Sequence, residues 1–349
     1  MKPETALVAT KVIDADLHNF GQRVELTERA CGTWFRKPRT VYWEWLFFGK
    51  SSPLKRLFAL SGPNGDISFA DSIFNLEVEP VHHWLGYSKK VETHSGFPPS
   101  ETHFYSFGVL LAYTYVFGIR DLHCGNLVMT PTHFQVVDAE VVLTRLILPN
   151  ETILLSFKQV SWRESGIGAL LPEGPDLSHD DARAFLGGYV DMFQHLIKKR
   201  ELILAELQSI VDPDVPIRVL VRNTLEYNPA HAAVKKNDFL PEETAQLDRG
   251  DVPYFFKKSG DDSLRWLQAP GVAASVPSLG RFKADIDRHA DKLRSLMSEP
   301  LVNDARLIQG LMLICRKLGL NQSYALSGKT NISARSINLN SIKYNLVQI

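Results

Sequence analysis

Gly118-Ile119-Arg120-Asp121-Leu122-His123-Cys124-Gly125-Asn126, followed by Val136-Val137-Asp138-Ala139-Glu140, is the stretch on which the reading of this chain turns. It reads as a loop carrying an aspartate, a histidine and an asparagine, then a short strand ending in Asp-x-Glu. Phosphoryl transfer from ATP requires that inventory: a carboxylate to orient and deprotonate a hydroxyl, and an amide oxygen with a second carboxylate to hold Mg²⁺ on the phosphates. Acidic groups that converge are costly to bury without a cation to balance them. The plain alternative is a polar turn between a helix and a hairpin. The spacing and the flanking apolar runs favour the catalytic loop of a kinase-like fold.

On this reading Asp121 is the general base or orienter of the acceptor hydroxyl and Asn126 a Mg²⁺ ligand. Asp138 is the main metal carboxylate, with Glu140 in reach two residues on, along the same strand face. His123 either orients Asp121 and takes part in proton transfer or stabilises the loop. Cys124 lies in the same loop, where a small residue filling a tight turn is the simpler reading.

Working outward, Pro98-Pro99 stops the preceding chain and Ser100 offers an N-cap to a helix whose Phe104, Phe107, Leu111 and Tyr115 share a face and which ends at Gly118. Leu127-Val128-Met129 and Phe134 to Val137 form a hairpin across Thr130-Pro131-Thr132. A long helix is expected from about Ser178, boxed by Asp181, towards Val211. Further helices are expected at 229–238, 280–297 and 302–319. On the N-terminal side, Arg23 to Glu28 alternates with period two, and Gly32 to Lys37 reads as its hairpin partner. Val41 to Phe48 opens a helix that closes at Gly49 or runs on past Pro53, Ser61 to Gly65 is turn chemistry, and Phe74 to Pro80 is extended. Strands, then a link near residue 80, then mostly helices with one acid-bearing hairpin give an α+β, bilobal kinase-like fold. Its small strand-rich lobe is expected at 1–80 and its larger, mainly helical lobe at 81–349.

The 349 residues are long for a single core and suit two lobes or a domain with helical additions. With 39 basic and 39 acidic residues the net charge is zero, so no global field draws the chain to nucleic acid or an anionic membrane. No apolar run is long enough to span a bilayer, and Met1 to Thr5 has no apolar signal core, so a cytoplasmic location is expected. Cys31, Cys124 and Cys315 are far apart, which excludes a disulfide framework or a cysteine zinc site.

An ATP-dependent site also needs a cation beside the phosphates. Lys37, at the end of a strand and before Pro38, is best placed, with Arg39 close behind; an ordinary edge-strand lysine is the competing reading. Neither a glycine-rich phosphate loop nor a Walker A pattern occurs. Arg218-Val-Leu-Val-Arg222-Asn-Thr224 would, on a strand, set two guanidinium groups and a hydroxyl on one face, which suits phosphate recognition; taken alone, the segment is better read as a half-buried strand with a salt-bridged outer face.

Together these motifs resemble the dehydratase domain of class II lanthipeptide synthetases, itself lipid-kinase-like. Asp121-Leu-His-x-x-Asn126 with Asp138-Ala-Glu140 is shared by small-molecule kinases of the aminoglycoside phosphotransferase type. Phe35-Arg36-Lys37-Pro38-Arg39-Thr40, Arg218 to Tyr227 and Arg249-Gly250-Asp251-Val252-Pro253-Tyr254-Phe255 narrow the resemblance, and His83 to Tyr87 is a looser match to that domain's hinge. The resemblance implies phosphorylation of Ser and Thr in a peptide or protein acceptor with ATP and Mg²⁺, then elimination of phosphate to dehydroamino acids. It assigns Asp121, Asn126 and Asp138 to phosphorylation with His123 and Glu140 beside them, Lys37 to phosphate, and Arg218 and Thr224 to elimination. Gly125 stands where the family commonly has Glu. With no zinc cyclase region in the sequence, ring closure is expected to need a separate cyclase. The alternatives are a small-molecule or protein kinase without elimination, and a degenerate kinase fold that only binds.

Overall fold

The computed structural model describes residues 9–12, 17–59, 68–92, 98–158, 160–174, 176–227, 238–259, 261–277, 279–291, 293–320, 322–326, 330–333, 336–339 and 342–345. The architecture is mixed α+β. Strands β1 (Ala9–Val12), β2 (Glu25–Arg29) and β3 (Gly32–Lys37) are followed by α1 (Tyr42–Phe48), α2 (Phe69–Ile73), β4 (Val78–His82) and β5 (Leu85–Lys89). The five strands make one antiparallel sheet in the order β1-β2-β3-β5-β4. The expected β2–β3 hairpin forms in full, Glu25 opposite Arg36 and Arg29 opposite Gly32. Sheet pairing continues to Lys89, so residue 80, the expected link, lies inside β4. His83 to Tyr87 is likewise a turn and strand: Tyr87 pairs with Arg36 of β3.

The aromatic run closes at Gly49, whose amide bonds the carbonyl of Trp45, and Pro53–Phe58 is a separate 3₁₀ turn. The expected turn at Ser61 to Gly65 lies outside the described residues.

Helix α3 (Glu101–Val116) starts where expected. Ser100 and His103 exchange hydrogen bonds at its N-terminus, and Gly118, in the left-handed region at φ +61°, ends it. Instead of one buried face it is buried nearly all round from His103 to Val116. It runs through the centre of the core, where an all-round apolar helix belongs. The hairpin β6 (Leu127–Met129) and β7 (Phe134–Val136) follows, then α4 (His179–Ile210), capped by Ser178 through the Asp181 amide as its sequence indicates. Helices α3 and α4 approach closely because Gly108 and Gly188 face each other's helix: a Cβ on either would strike the carbonyl of Phe185 or Tyr105.

Beyond α4 a four-stranded antiparallel sheet runs β11-β10-β9-β8, with β8 Pro216–Val219, β9 Phe255–Lys258, β10 Arg265–Ala269 and β11 Val272–Ser275. Strand β8 stops at Val219, so Arg218, Arg222 and Thr224 do not share a strand face; Thr224 opens a 3₁₀ turn, Thr224–Tyr227. The helix expected at 229–238 falls almost wholly outside the described residues. The one expected at 280–297 is broken into short turns at Gly280–Phe282, Lys283–Ile286 and Leu293–Leu296, with Ala290 at φ +54° between the last two. Lys257 of β9 explains the break: its buried ammonium takes the carbonyls of Ile286 (2.9 Å) and His289 (3.4 Å), which a continuing helix would need for itself. The last expected helix forms as Asp304–Lys317, capped by Asn303.

The largest apolar cluster takes residues from both sides of β4 and β5, joining Trp43 and Phe47 to Tyr113, Phe117, Phe193 and Leu311. The polar groups described next lie along one side of this core.

Candidate active site

The loop after α3 is held rigid by its backbone. Arg120 N bonds Val141 O, Leu122 N bonds Thr152 O and Cys124 N bonds Glu164 O, at 2.8, 3.1 and 2.9 Å. Asp121 sits in the left-handed region at φ +64°, a conformation that aspartate tolerates better than most side chains and that clusters at functional sites. Asn126 donates its amide to the Asp121 carbonyl at 2.8 Å, so its amide oxygen is the atom able to ligate a cation. His123 accepts the Gly125 amide on Nδ1 at 3.1 Å, which places the proton of a neutral ring on Nε2. A Cβ at Gly125 would come within 3.0 Å of the imidazole, so glycine lets the ring fold back over the turn.

Four separate segments bring charge to one place. Lys37 at the end of β3 donates to both oxygens of Glu44 on α1 (2.9 and 3.1 Å) and to the carbonyl of Val137 (2.7 Å). Arg39, in the bend between β3 and α1, reaches Glu44 Oε1 (2.8 Å), Asp138 Oδ1 (2.5 Å) and Glu140 Oε2 (3.2 Å). Arg218 of β8 pairs with Glu140 Oε1, and its guanidinium lies over the Tyr254 ring. The Tyr254 hydroxyl completes the ring of contacts at 3.4 Å from Glu140 Oε2. Glu44 is fully buried, and Glu140 nearly so, whereas the Asp138 side chain is 36 % exposed: of the three carboxylates it is the one a ligand can reach.

The electrostatics separate the two aspartates. Burial pushes the Asp121 carboxyl above the usual range; Arg218 and His123 oppose the shift, and Asp138 and Glu140 add to it. Burial also works against ionised Asp138, but Arg39, Lys37 and Arg218 overcome it and pull that carboxyl down to about 2. Burial disfavours the charged guanidinium of Arg39, yet the surrounding carboxylates hold it well above its ordinary range, and Arg218 behaves in the same way. The two aspartates are therefore shifted in opposite directions, Asp121 up and Asp138 down. Catalytic acids and bases commonly show such a division.

No family model and no curated protein matches the chain.

Of the residues singled out in the sequence, Lys37, Arg39, Asp121, His123, Asn126, Asp138, Glu140 and Arg218 are thus gathered into one neighbourhood by contact or by the fields they exert on Asp121. Thr224 is not: among the described residues none of the bonds of the carboxylate cluster involves it. Glu140, expected as a metal ligand, has its two oxygens engaged by Arg39, Arg218 and Tyr254. Among the described residues no group of three or more His, Cys, Asp or Glu side chains could hold a metal ion unaided. Mg²⁺ retains waters and commonly takes one or two protein carboxylates plus substrate phosphates, so Asp138 and the Asn126 amide oxygen fit a metal that shares its ligands with a nucleotide.

Two residues of this site escape a reading of the sequence. Glu44 stands within Tyr42-Trp43-Glu44-Trp45-Leu46-Phe47-Phe48, where a lone acid in an aromatic run is a signal that a buried cation must answer it. Tyr254 belongs to the Arg249 to Phe255 element, whose front half is a clamp. The Asp251 carboxylate accepts the amides of Phe20 and Gly21, both at 2.8 Å, and Arg249 at 2.6 Å, fastening the chain ahead of β2 above Tyr254.

Proposed function

We propose that the chain is an ATP- and Mg²⁺-dependent phosphotransferase of bilobal kinase-like fold that phosphorylates Ser and Thr hydroxyls of a peptide or protein and then eliminates the phosphate, as the lanthipeptide-synthetase dehydratases do. The observation that carries the reading is the Lys37–Glu44 pair. A lysine on the third strand, held at 2.9 Å by a glutamate on the next helix and aimed at the backbone beside Asp138, is the arrangement a kinase uses to fix its phosphate-binding lysine. The loop bearing Asp121 and Asn126 supplies the rest of that inventory.

In this mechanism Asp121 orients the acceptor hydroxyl and takes its proton as the phosphoryl group transfers. Lys37 meets charge on the phosphates. Asp138 and Asn126 would hold Mg²⁺, which when bound offsets charge on the nucleotide. In the second stage the α-proton of the phosphorylated residue passes to a base, the C–H electron pair forms the carbon–carbon double bond, and the C–O bond breaks with its electrons leaving on inorganic phosphate. Arg218, whose charge acts on Asp121, would offset the charge of the leaving phosphate.

Intact-mass analysis of the protein with ATP, Mg²⁺ and Ser/Thr-containing peptides tests both stages: a gain of one phosphate, then a net loss of water. Arg218→Lys should let the phosphorylated peptide accumulate. Phosphorylation that never proceeds to dehydration would leave the kinase stage standing and remove the second. The commitment of Arg218 to Glu140 favours that narrower reading, in which the arginine only braces the site.

A further inference from the structure

Arg39 occupies the place where a metal would be expected to compensate charge. Its guanidinium touches Glu44, Asp138 and Glu140, one carboxylate from each of three chain positions, and it is 8 % exposed. Around it, three cations (Lys37, Arg39, Arg218) face three carboxylates (Glu44, Asp138, Glu140) within bonding distance. These six ion-paired groups are therefore neutral before any ligand arrives, with Asp121 a further carboxyl whose charge bears on them. A divalent cation entering alone would add two positive charges beside three cations and would have to displace Arg39 from Asp138. A nucleoside triphosphate carrying its metal is a net anion and meets the same cations favourably.

We propose that Arg39 is a resident counter-cation that excludes free divalent metal from Asp138, so that metal enters only as the metal–nucleotide complex. On binding, Arg39 stays on Glu44 and Glu140 and yields Asp138 Oδ1 to the incoming complex. Lys37 keeps its own contacts throughout, which leaves the phosphate-binding lysine in position while the carboxylate changes partner. The inference rests on the reading of the site as a nucleotide site. It adds an order of binding and gives Arg39 a positioning role.

Mn²⁺ titration followed by electron paramagnetic resonance, with thermal shift in Mg²⁺ as a second readout, tests it without any turnover. The wild-type protein should bind Mn²⁺ only when a non-hydrolysable ATP analogue is present. Arg39→Ala should take up Mn²⁺ without nucleotide, at least about tenfold more tightly than wild type. Arg39→Lys, which keeps a charge but loses the fork that spans three carboxylates, should lie between them, and it serves if the alanine variant does not fold. A wild-type protein that binds Mn²⁺ equally with and without the analogue, through a site lost in Asp138→Asn, overturns the inference and leaves the nucleotide site intact. A wild-type protein that responds to neither metal nor metal–analogue overturns the nucleotide reading and this inference with it.

Discussion

Two arginines of one short segment each build a buried triad of Arg, Glu and Tyr. Arg218 binds Glu140 under the Tyr254 ring; Arg222 binds Glu243 at 2.6 and 3.0 Å, and Tyr227 donates to the same glutamate at 2.7 Å. The chemistry is alike but the surroundings are not. Glu243 also accepts the amide of Leu240 at the start of the helix Pro241–Asp248, and Arg222 packs on Phe239 and Phe282. Every partner in that triad is a brace. Glu140 instead shares Arg39 with Asp138 and Glu44, and Arg218 acts on Asp121. What separates a structural triad from a chemical one is therefore whether its charges reach a carboxylate that solvent or ligand can reach.

The widest gap between the two should be in turnover. On the proposed function, Asp121→Asn removes the base and should lower kcat/KM for phosphate transfer by about 10²–10⁴-fold, the usual worth of a positioned general base. Arg222→Met, at a side chain as little exposed as that of Arg218, should leave kcat/KM of the folded protein within about threefold, because its contacts among the described residues are to Glu226, Asp238, Phe239, Glu243 and Phe282. Steady-state kinetics at matched folded fraction decide the matter, and a large loss in Arg222→Met would erase the distinction.

Stability should reverse the emphasis. Removing one partner of a buried ion pair typically costs about 3–5 kcal/mol, since the other charge is stranded. Glu243→Ala should reach the low end of that range in urea unfolding, for it removes the shared partner of Arg222, the Tyr227 hydroxyl and the Leu240 amide together, while Arg222 keeps the Asp238 carbonyl at 3.0 Å and Glu226 at 3.8 Å. Glu140→Ala should cost less than Glu243→Ala, because Asp121 and Asp138 remain to share Arg218 and Arg39.

The acid limb of activity offers a third comparison. Asp121 must be ionised to act, and its carboxyl is raised by burial, so kcat/KM should begin to fall at a pH above the ordinary aspartate range. Arg218→Gln removes an opposing charge and should move that limb further up; Arg222→Gln should leave it in place. The linked stability terms have opposite signs. A raised folded pKa means that Asp121 contributes stability below its unfolded pKa and loses it as pH rises through the folded value. Asp138, pulled down to about 2, contributes stability above its unfolded pKa and loses it as pH falls towards 2. The pH–rate profiles of the three proteins check the kinetic half directly.

These contrasts also mark what the chain discloses before it is folded. Helices α3 and α4 are legible because Ser100 and Ser178 cap them and their first turns carry the answering groups, all within a few residues. The loop from Asp121 to Asn126 is legible for the same reason: its chemistry is local. The partners of Arg39 are not, since Asp138 lies about a hundred positions away and only the folded chain brings it to 2.5 Å. The run from Arg218 to Thr224 looks like one strand because Val219-Leu220-Val221 is a continuous apolar run between two arginines, yet the strand ends at Val219, and Arg222 turns to Glu243 on the helix that follows. That helix had a readable start in Pro241 at its first position with Glu242 and Glu243 behind it. Lys257 broke the 280–297 helix from another strand, an effect no local pattern carries.

The smallest expected effect is also the sharpest separation of the triads, because it deletes the same atom from each. Tyr227→Phe removes a hydroxyl 2.7 Å from a fully buried carboxylate, a charge-assisted bond whose loss should cost about 1.5–3 kcal/mol. Tyr254→Phe removes a hydroxyl 3.4 Å from Glu140, too long for a strong bond, while two arginines continue to satisfy that glutamate; its stability cost should stay under about 1 kcal/mol. If the Tyr254 hydroxyl only fills space, phosphate transfer should be unchanged by its removal. If it helps hold Glu140, and through Glu140 the position of Arg218, the variant should slow elimination while sparing phosphorylation, and phosphorylated peptide should accumulate in the mass spectrum. Because phenylalanine keeps the ring on which Arg218 rests, and both arginines still hold Glu140, the first result is expected. Tyr227→Phe should likewise leave the ratio of the two products unaltered, but with a lower unfolding midpoint.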